Sequence, residues 1–253
     1  MCHLKYILFA AVLLCICWSC SGDLLSPTSS TSGNTGKGGS LARFAFVGNY
    51  LYVVDDINVK TYNVSKAENP ELVGTIRIGW GVETIFAYGK NLFFGSQTGV
   101  HLFEIQKDGQ PKYVSFYRHF QSCDPVVSDG QYAYSTIRSG VACRTTTPIN
   151  ELHILDISDI QNPKQVSVVP MTNPIGLTID GNTLFVCDAG LRILDVSDKK
   201  VPREIKYLKD IDAVDVIGLD KQLIIIGKSS VTQLDYHNLS EPRVLSVLPL
   251  KLP

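Results

Sequence analysis

The sequence predicts an all-β fold, and its β-branched residues are the first reason: 24 Val and 21 Ile stand against 2 Met and 7 Glu in 253 residues. Two branches at Cβ stiffen χ1 and suit a pleated strand better than a helix. The second reason is an internal repeat. An apolar residue opens a short strand and a proline follows eleven positions later at five places: Val59 to Pro70, Val100 to Pro111, Leu152 to Pro163, Leu191 to Pro202 and Val231 to Pro242. The third is a turn ahead of each such strand, at Gly48, Gly89, Gly130, Gly181 and Lys221, recurring at intervals of 41, 41, 51 and 40 residues. Repeats of about forty residues with four short strands each are the blades of a β-propeller. About five four-stranded blades are therefore expected.

Each strand of the unit has its own signal. The first alternates before the turn, as in Phe44-Ala45-Phe46-Val47 and Leu177-Thr178-Ile179. The turn pairs Gly with Asn or another polar residue, which supplies the positive φ of a tight hairpin. The second strand is apolar and aromatic, as in Leu92-Phe93-Phe94 and Leu184-Phe185-Val186, and the third ends in Asp, Asn or Glu. Proline fixes φ and lacks a donor, so it belongs just before the outermost strand, where no neighbour needs its N–H. The one long interval holds an insertion of about ten residues between Ile137 and Asn150, which a surface loop tolerates at small entropic cost. Five such sheets stacked face to face are expected to close a ring with no long free edge.

Ahead of the repeats lies an address. Lys5 precedes the apolar run Tyr6 to Trp18, and thirteen residues are too few to span a bilayer core as a helix, so residues 1–19 read as a signal peptide. The run ends Cys17-Trp18-Ser19-Cys20, which resembles the lipobox of bacterial lipoproteins, although Cys17 and Trp18 replace its usual Leu and small residue. The resemblance implies that Cys20 is diacylated and becomes the mature N-terminus, that the protein meets the membrane through this lipid anchor, and that it resides in the bacterial cell envelope. Ser21 and Asp23 point to the outer membrane, its surface or its periplasmic face. An ordinary secretory signal cut near Ser21 is the alternative. The Ser/Thr/Gly-rich stretch Ser26 to Ser40 suits a flexible tether, which makes 20–40 the tether and 41–253 the propeller.

The segments Leu152-His153-Ile154-Leu155-Asp156-Ile157-Ser158-Asp159 with Pro163, and Leu191-Arg192-Ile193-Leu194-Asp195-Val196-Ser197-Asp198 with Pro202, resemble the signature of LVIVD-repeat proteins, which are secreted or surface bacterial propellers. The resemblance runs from Leu41 to Leu250 and weakens at Asn63-Val64-Ser65-Lys66, Glu104-Ile105-Gln106-Lys107 and Asp235-Tyr236-His237-Asn238. It implies a fold and a compartment, and no reaction.

Several function classes are disfavoured. With 23 Lys and Arg against 24 Asp and Glu the chain has no basic footprint for nucleic acid. Beyond the signal peptide it has no HExxH, no zinc-spaced CxxC, no GxSxG elbow and no phosphate-binding glycine loop, so neither a cofactor nor a metal is expected. Asp55-Asp56 and Asp212-x-x-Asp215 lack the spacing of a calcium loop. The recurrent Asp156, Asp195 and Asp235 read as turn-holding residues, and His101 and His153 as equivalent structural positions. An oxidising envelope permits a disulfide. Cys123, in the loop leading into the third blade, and Cys143, in the inserted loop, would emerge on one face; free thiols or a bridge to Cys187 are the alternatives.

A binding site is expected at the mouth of the ring, on the loops that lead into each blade and those joining its second and third strands. Those loops carry Trp80, Glu83, His119, Asp124, Arg138, Asn173, Asp188 and Asp212. Trp80, flanked by glycines, suits a stacking platform for a sugar, or else a plug or an interblade contact. The expected role is a non-catalytic binding or scaffolding module for an envelope protein or a glycan. The rival is a propeller enzyme of hydrolase, lactonase or lyase type, using Glu83, Asp124 or Asp212 with His119.

Overall fold

The computed structural model describes residues 38–55, 57–118, 125–138 and 149–250, and its regular elements are twenty antiparallel strands. Blade one comprises β1 (Phe44–Val47), β2 (Tyr50–Asp55), β3 (Asn58–Asn63) and β4 (Glu71–Arg77). Blade two comprises β5 (Val82–Tyr88), β6 (Asn91–Ser96), β7 (Gly99–Ile105) and β8 (Pro111–Arg118). Blade three has a short β9 (Val126–Ser128), then β10 (Tyr132–Ile137), β11 (Glu151–Asp156) and β12 (Lys164–Pro170). Blade four has β13 (Pro174–Asp180), β14 (Thr183–Asp188), β15 (Leu191–Asp195) and β16 (Arg203–Leu208). Blade five has β17 (Asp215–Leu219), β18 (Gln222–Ile226), β19 (Ser230–Asp235) and β20 (Arg243–Pro249). The blades form a five-bladed propeller, each sheet pairing its strands in chain order without exchange between blades.

Local chemistry explains the repeat. Gly48, Gly89 and Gly181 each turn with φ 56°, and Lys221 takes the same left-handed conformation at 61°. After the third strand, the N–H groups of Ser65, Ser158, Ser197 and His237 donate to the side-chain oxygens of Asn63, Asp156, Asp195 and Asp235, each at 2.9 Å. Those residues hold turns, as a short acceptor two positions before a donor does. The prolines precede the outer strand as expected, except that Pro111 is itself its first residue. A bulge then recurs between the third and fourth strands of all five blades, at Thr61/Tyr62, Leu102/Phe103, Ile154/Leu155, Ile193/Leu194 and Gln233/Leu234.

Apolar clusters fill the seams between successive blades. Tyr52, Val54 and Val59 meet Leu92, Phe94 and Phe103 at seam one/two, and Phe93, Val100 and Leu102 meet Ala133, Leu155 and Ile157 at two/three. Tyr134, Leu152 and Ile154 meet Leu184, Val186 and Leu194 at three/four. Phe185, Cys187, Leu191 and Ile193 meet Leu223, Ile225 and Leu234 at four/five. The fifth seam departs from the expected ring. Its equivalent residues, Ile224, Ile226 and Val231 on blade five and Leu51, Val53 and Tyr62 on blade one, are half-buried or exposed, and every residue of β20 is exposed. The sheet edge that the ring was expected to hide is open at this one place.

Candidate functional site

The first strands of the five blades line a central channel, and their burial is graded along it. At the end where the blades are joined, Val82, Val126, Val127, Ile175, Leu177 and Val216 are buried. At the hairpin end, Phe46, Tyr88, Gly181 and Leu219 are exposed. A strap over residues 38–42 closes the first end. Ser40, only 1% exposed, donates its hydroxyl to Asp215 Oδ1 at 3.0 Å and accepts the Leu177 N–H at 2.8 Å. The Leu41 N–H reaches Asp215 Oδ2 at 3.3 Å, Ile85 N–H donates to the Ala42 carbonyl at 2.9 Å, and Leu41 packs into the cluster between blades four and five. One five-residue segment thereby ties blades two, four and five.

Gly38 to Ser40, assigned to the tether by composition, thus include a buried hydroxyl with two backbone or carboxylate partners. Asp215, half of the Asp212-x-x-Asp215 pair, is the strap's anchor; burial raises its carboxyl above the usual range. A Cβ at Gly39 or Gly176 would collide with that side chain, so both glycines make room for the anchor.

Below the strap lies a cavity of about 330 Å³, within the size of small-ligand pockets. Gly38, Gly39 and Ala42 roof it, Ala45, Ile85, Phe86, Ile179 and Ile217 wall it, and Phe44, Tyr88, Ser128, Asp129 and Thr178 complete its lining. Phe44 is 54% exposed. Asp129 already accepts from the N–H groups of Gln131 and Tyr132 and from Tyr134 Oη at 2.8 Å, so it braces the rim. The opening faces away from the loops on which the binding residues were placed.

Those of them that are described sit on loops of the strapped face. Trp80 is 73% exposed, with the Arg77 guanidinium 6.0 Å from its ring, and neither plugs the channel nor fills a seam. Glu83 accepts from Gln97 Nε2 at 3.5 Å. Asp188 is fully buried: it accepts the N–H groups of Thr172 and Asn173 and binds Arg192 Nε at 2.6 Å, which fixes one loop of blade four. Asp212 accepts the Ser229 N–H at 2.8 Å and its hydroxyl at 2.9 Å, and the backbone donors hold its carboxyl below the usual range. Arg138 follows the last residue of β10. Cys20, His119, Cys123, Asp124 and Cys143 lie outside the described residues, and Cys187 is a buried thiol whose pKa burial pushes up. Among the described residues no group of three or more His, Cys, Asp or Glu side chains could hold a metal ion.

The two histidines behave differently. His101 stacks on Phe116 with ring centres 4.4 Å apart, and burial lowers its pKa to about 4. His153 Nε2 lies 2.9 Å from Glu151 Oε2 within its own strand.

The fourth blade, with its Asp195 turn and strands β13 to β16, decides the repeat type: residues 176–208 match the LVIVD repeat. Blade four is an LVIVD blade. Among curated proteins none is similar enough in sequence to count as a relative. Solved structures share the fold. A functionally unknown protein from Desulfotomaculum acetoxidans is 14% identical with a TM-score of 0.60, over 81% of this chain and 67% of that one. A protein from Lactobacillus plantarum is 12% identical at 0.61, over 80% and 72%. The periplasmic gluconolactonase of Pseudomonas aeruginosa is 13% identical at 0.60, over 81% and 70%. At such identities the likeness concerns the propeller architecture alone.

Proposed function

We propose that this LVIVD-blade propeller is a non-catalytic binding module of the bacterial cell envelope, held to the membrane by acylated Cys20, and that its ligand is a sugar unit of a glycan. The observation that carries the reading is the channel cavity, about 330 Å³, roofed by the strap, with Phe44 in its lining and Tyr88 at the hairpin end. Aromatic faces stack on the apolar side of a sugar ring, while a hydroxyl such as that of Thr178 meets its polar edge. Full-length protein should gain several degrees of thermal stability with a matching mono- or oligosaccharide, and Phe44→Ala or Tyr88→Ala should abolish the gain. A panel of sugars that leaves the melting temperature unmoved sinks the glycan reading. Acylation at Cys20 predicts incorporation of a fatty-acid analogue that Cys20→Ala eliminates. The proposed Cys123–Cys143 bridge predicts one linked peptide pair in a non-reducing digest.

A second reading is a lactone hydrolase, favoured by the fold likeness to the gluconolactonase. It requires gluconolactone hydrolysis above the spontaneous rate, and loss of that activity when Glu83 or Asp212 is replaced by its amide.

A further inference from the structure

We infer that blades five and one form a seam that opens and shuts, latched when shut by the Ser246 hydroxyl donating to the Ala67 carbonyl. The inference concerns the wall of the channel and stands whatever the cavity binds.

The repeat itself states what belongs on the open face of blade five. At the internal seams, second-strand residues Phe93, Tyr134 and Phe185 are fully buried against the next blade. Strand pairing places Ile224 at the same position in blade five, because Gln222 opposes Leu219 as Thr183 opposes Asp180. On the receiving side, Leu92, Leu184, Phe94 and Val186 are fully buried, and their counterparts in blade one are Leu51 and Val53. Ile224 and Leu51 are only half-buried, and Ile226 is exposed. Both halves of an apolar seam are therefore present and apart.

A hydrogen bond repeats with the same logic. Ser115 in β8 donates its hydroxyl to the carbonyl of Ile160, in the loop of the next blade. Ser167 in β12 donates to the carbonyl of Lys199, again in the next blade, at 2.7 Å. Ser115, Ser167 and Ser246 oppose the equivalent third-strand residues Leu102, Ile154 and Gln233. Ile160 and Lys199 each stand four positions after the last third-strand residue of their own blade, Asp156 and Asp195; the same count from Asn63 in blade one gives Ala67. Ser246 is exposed and makes instead a long contact, 3.4 Å, to Gln233 within its own sheet. Its partner in the repeat is the exposed Ala67.

The occupant is this chain's own blade one, because the strap already holds the two ends together. Ser40 and Leu41, which lie just ahead of β1, are bound to Asp215 at the start of β17. With the inner edges tied and no strand exchanged, the outer edges of the two sheets are free to swing. Phe44 and Ile217 lie on the open faces and also line the cavity, so shutting the seam completes the channel wall and opening it admits a ligand from the side.

Full-length protein with Ser246→Cys and Ala67→Cys is oxidised mildly beside a control with Ser167→Cys and Lys199→Cys. Linked peptides are then mapped from the monomer and dimer bands. We expect the 67–246 link in the monomer band at no less than half the yield of the 167–199 link. A 67–246 link confined to the dimer band assigns the face to a second copy and overturns the inference, as does its absence while the control link forms. Diazirine footprinting of the unmodified protein checks the same point without cysteines. Labelling of Ile226 and Leu248 nearer to that of Val169 than to that of Trp80 supports closure, and labelling at the Trp80 level refutes it.

Discussion

Strands β12 and β20 end almost alike, in Val166-Ser167-Val168-Val169-Pro170 and Leu245-Ser246-Val247-Leu248-Pro249. Both are the outer strand of a blade, and both pair with the third strand in one register, with the bulge at the same place. Yet Val169 packs into the cluster between blades three and four while Leu248 is 63% exposed. Burial at these positions belongs to the neighbour: a propeller blade has two apolar faces, and each is covered only if a further blade stands beside it.

Mutations at paired positions sharpen that contrast. The largest difference should come from truncating the receiving face. Leu184→Ala leaves a cavity in a full seam and should cost about 2–5 kcal/mol, against about 1 kcal/mol or less for Leu51→Ala, read from denaturant midpoints. Equal losses would mean that blade one is as well covered in solution as blade four. A charge should discriminate next: Val169→Asp places a carboxylate in a seam that stays filled and should cost about 2 kcal/mol or more, whereas Leu248→Asp opposes only the shut form of its seam and should cost about half of that or less. Ser167→Ala, which strips the Lys199 carbonyl of a half-buried donor, should cost about 1 kcal/mol, and Ser246→Ala less than half of that.

The smallest effect is one of pH. The same third-strand position holds His101 on the covered face of blade two and Lys60 on the open face of blade one, where Lys60 pairs with Asp55 at 2.6 Å. Burial lowers His101 to about 4 from its ordinary 6.5. A base with a depressed folded pKa stabilises the native state above the unfolded value and loses that contribution as pH falls through the window between the two. The melting temperature should therefore fall between pH 6.5 and 4, by a few degrees for a domain of this size. His101→Phe should flatten that part of the profile, and Lys60→Met should leave it unchanged.

Legibility followed locality. The five turns, the prolines and the Asp-to-backbone bonds could be read because each is settled by a few adjacent residues, as at Gly181 and Asp195. The strap could not. Ser40 and Asp215 are 175 positions apart, and a Ser/Gly-rich stretch looks like tether until a buried carboxylate is found waiting for it. The mouth residues were placed from topology, and the described carboxylates among them serve local tasks: Asp188 binds Arg192 and two backbone donors, and Asp212 binds Ser229. A carboxylate's partners are chosen by neighbours distant in sequence, so its role is invisible to spacing.

The sequence by itself determined the strand count, the blade repeat and the turn chemistry, because hairpin geometry and alternation act over two to ten residues. Only the tertiary structure decided which end of the channel is open, what closes the other, and which of five equivalent seams lacks its partner. Those are properties of the ring as a whole. A repeat specifies identical faces, and whether each face meets another depends on how the blades are set in space.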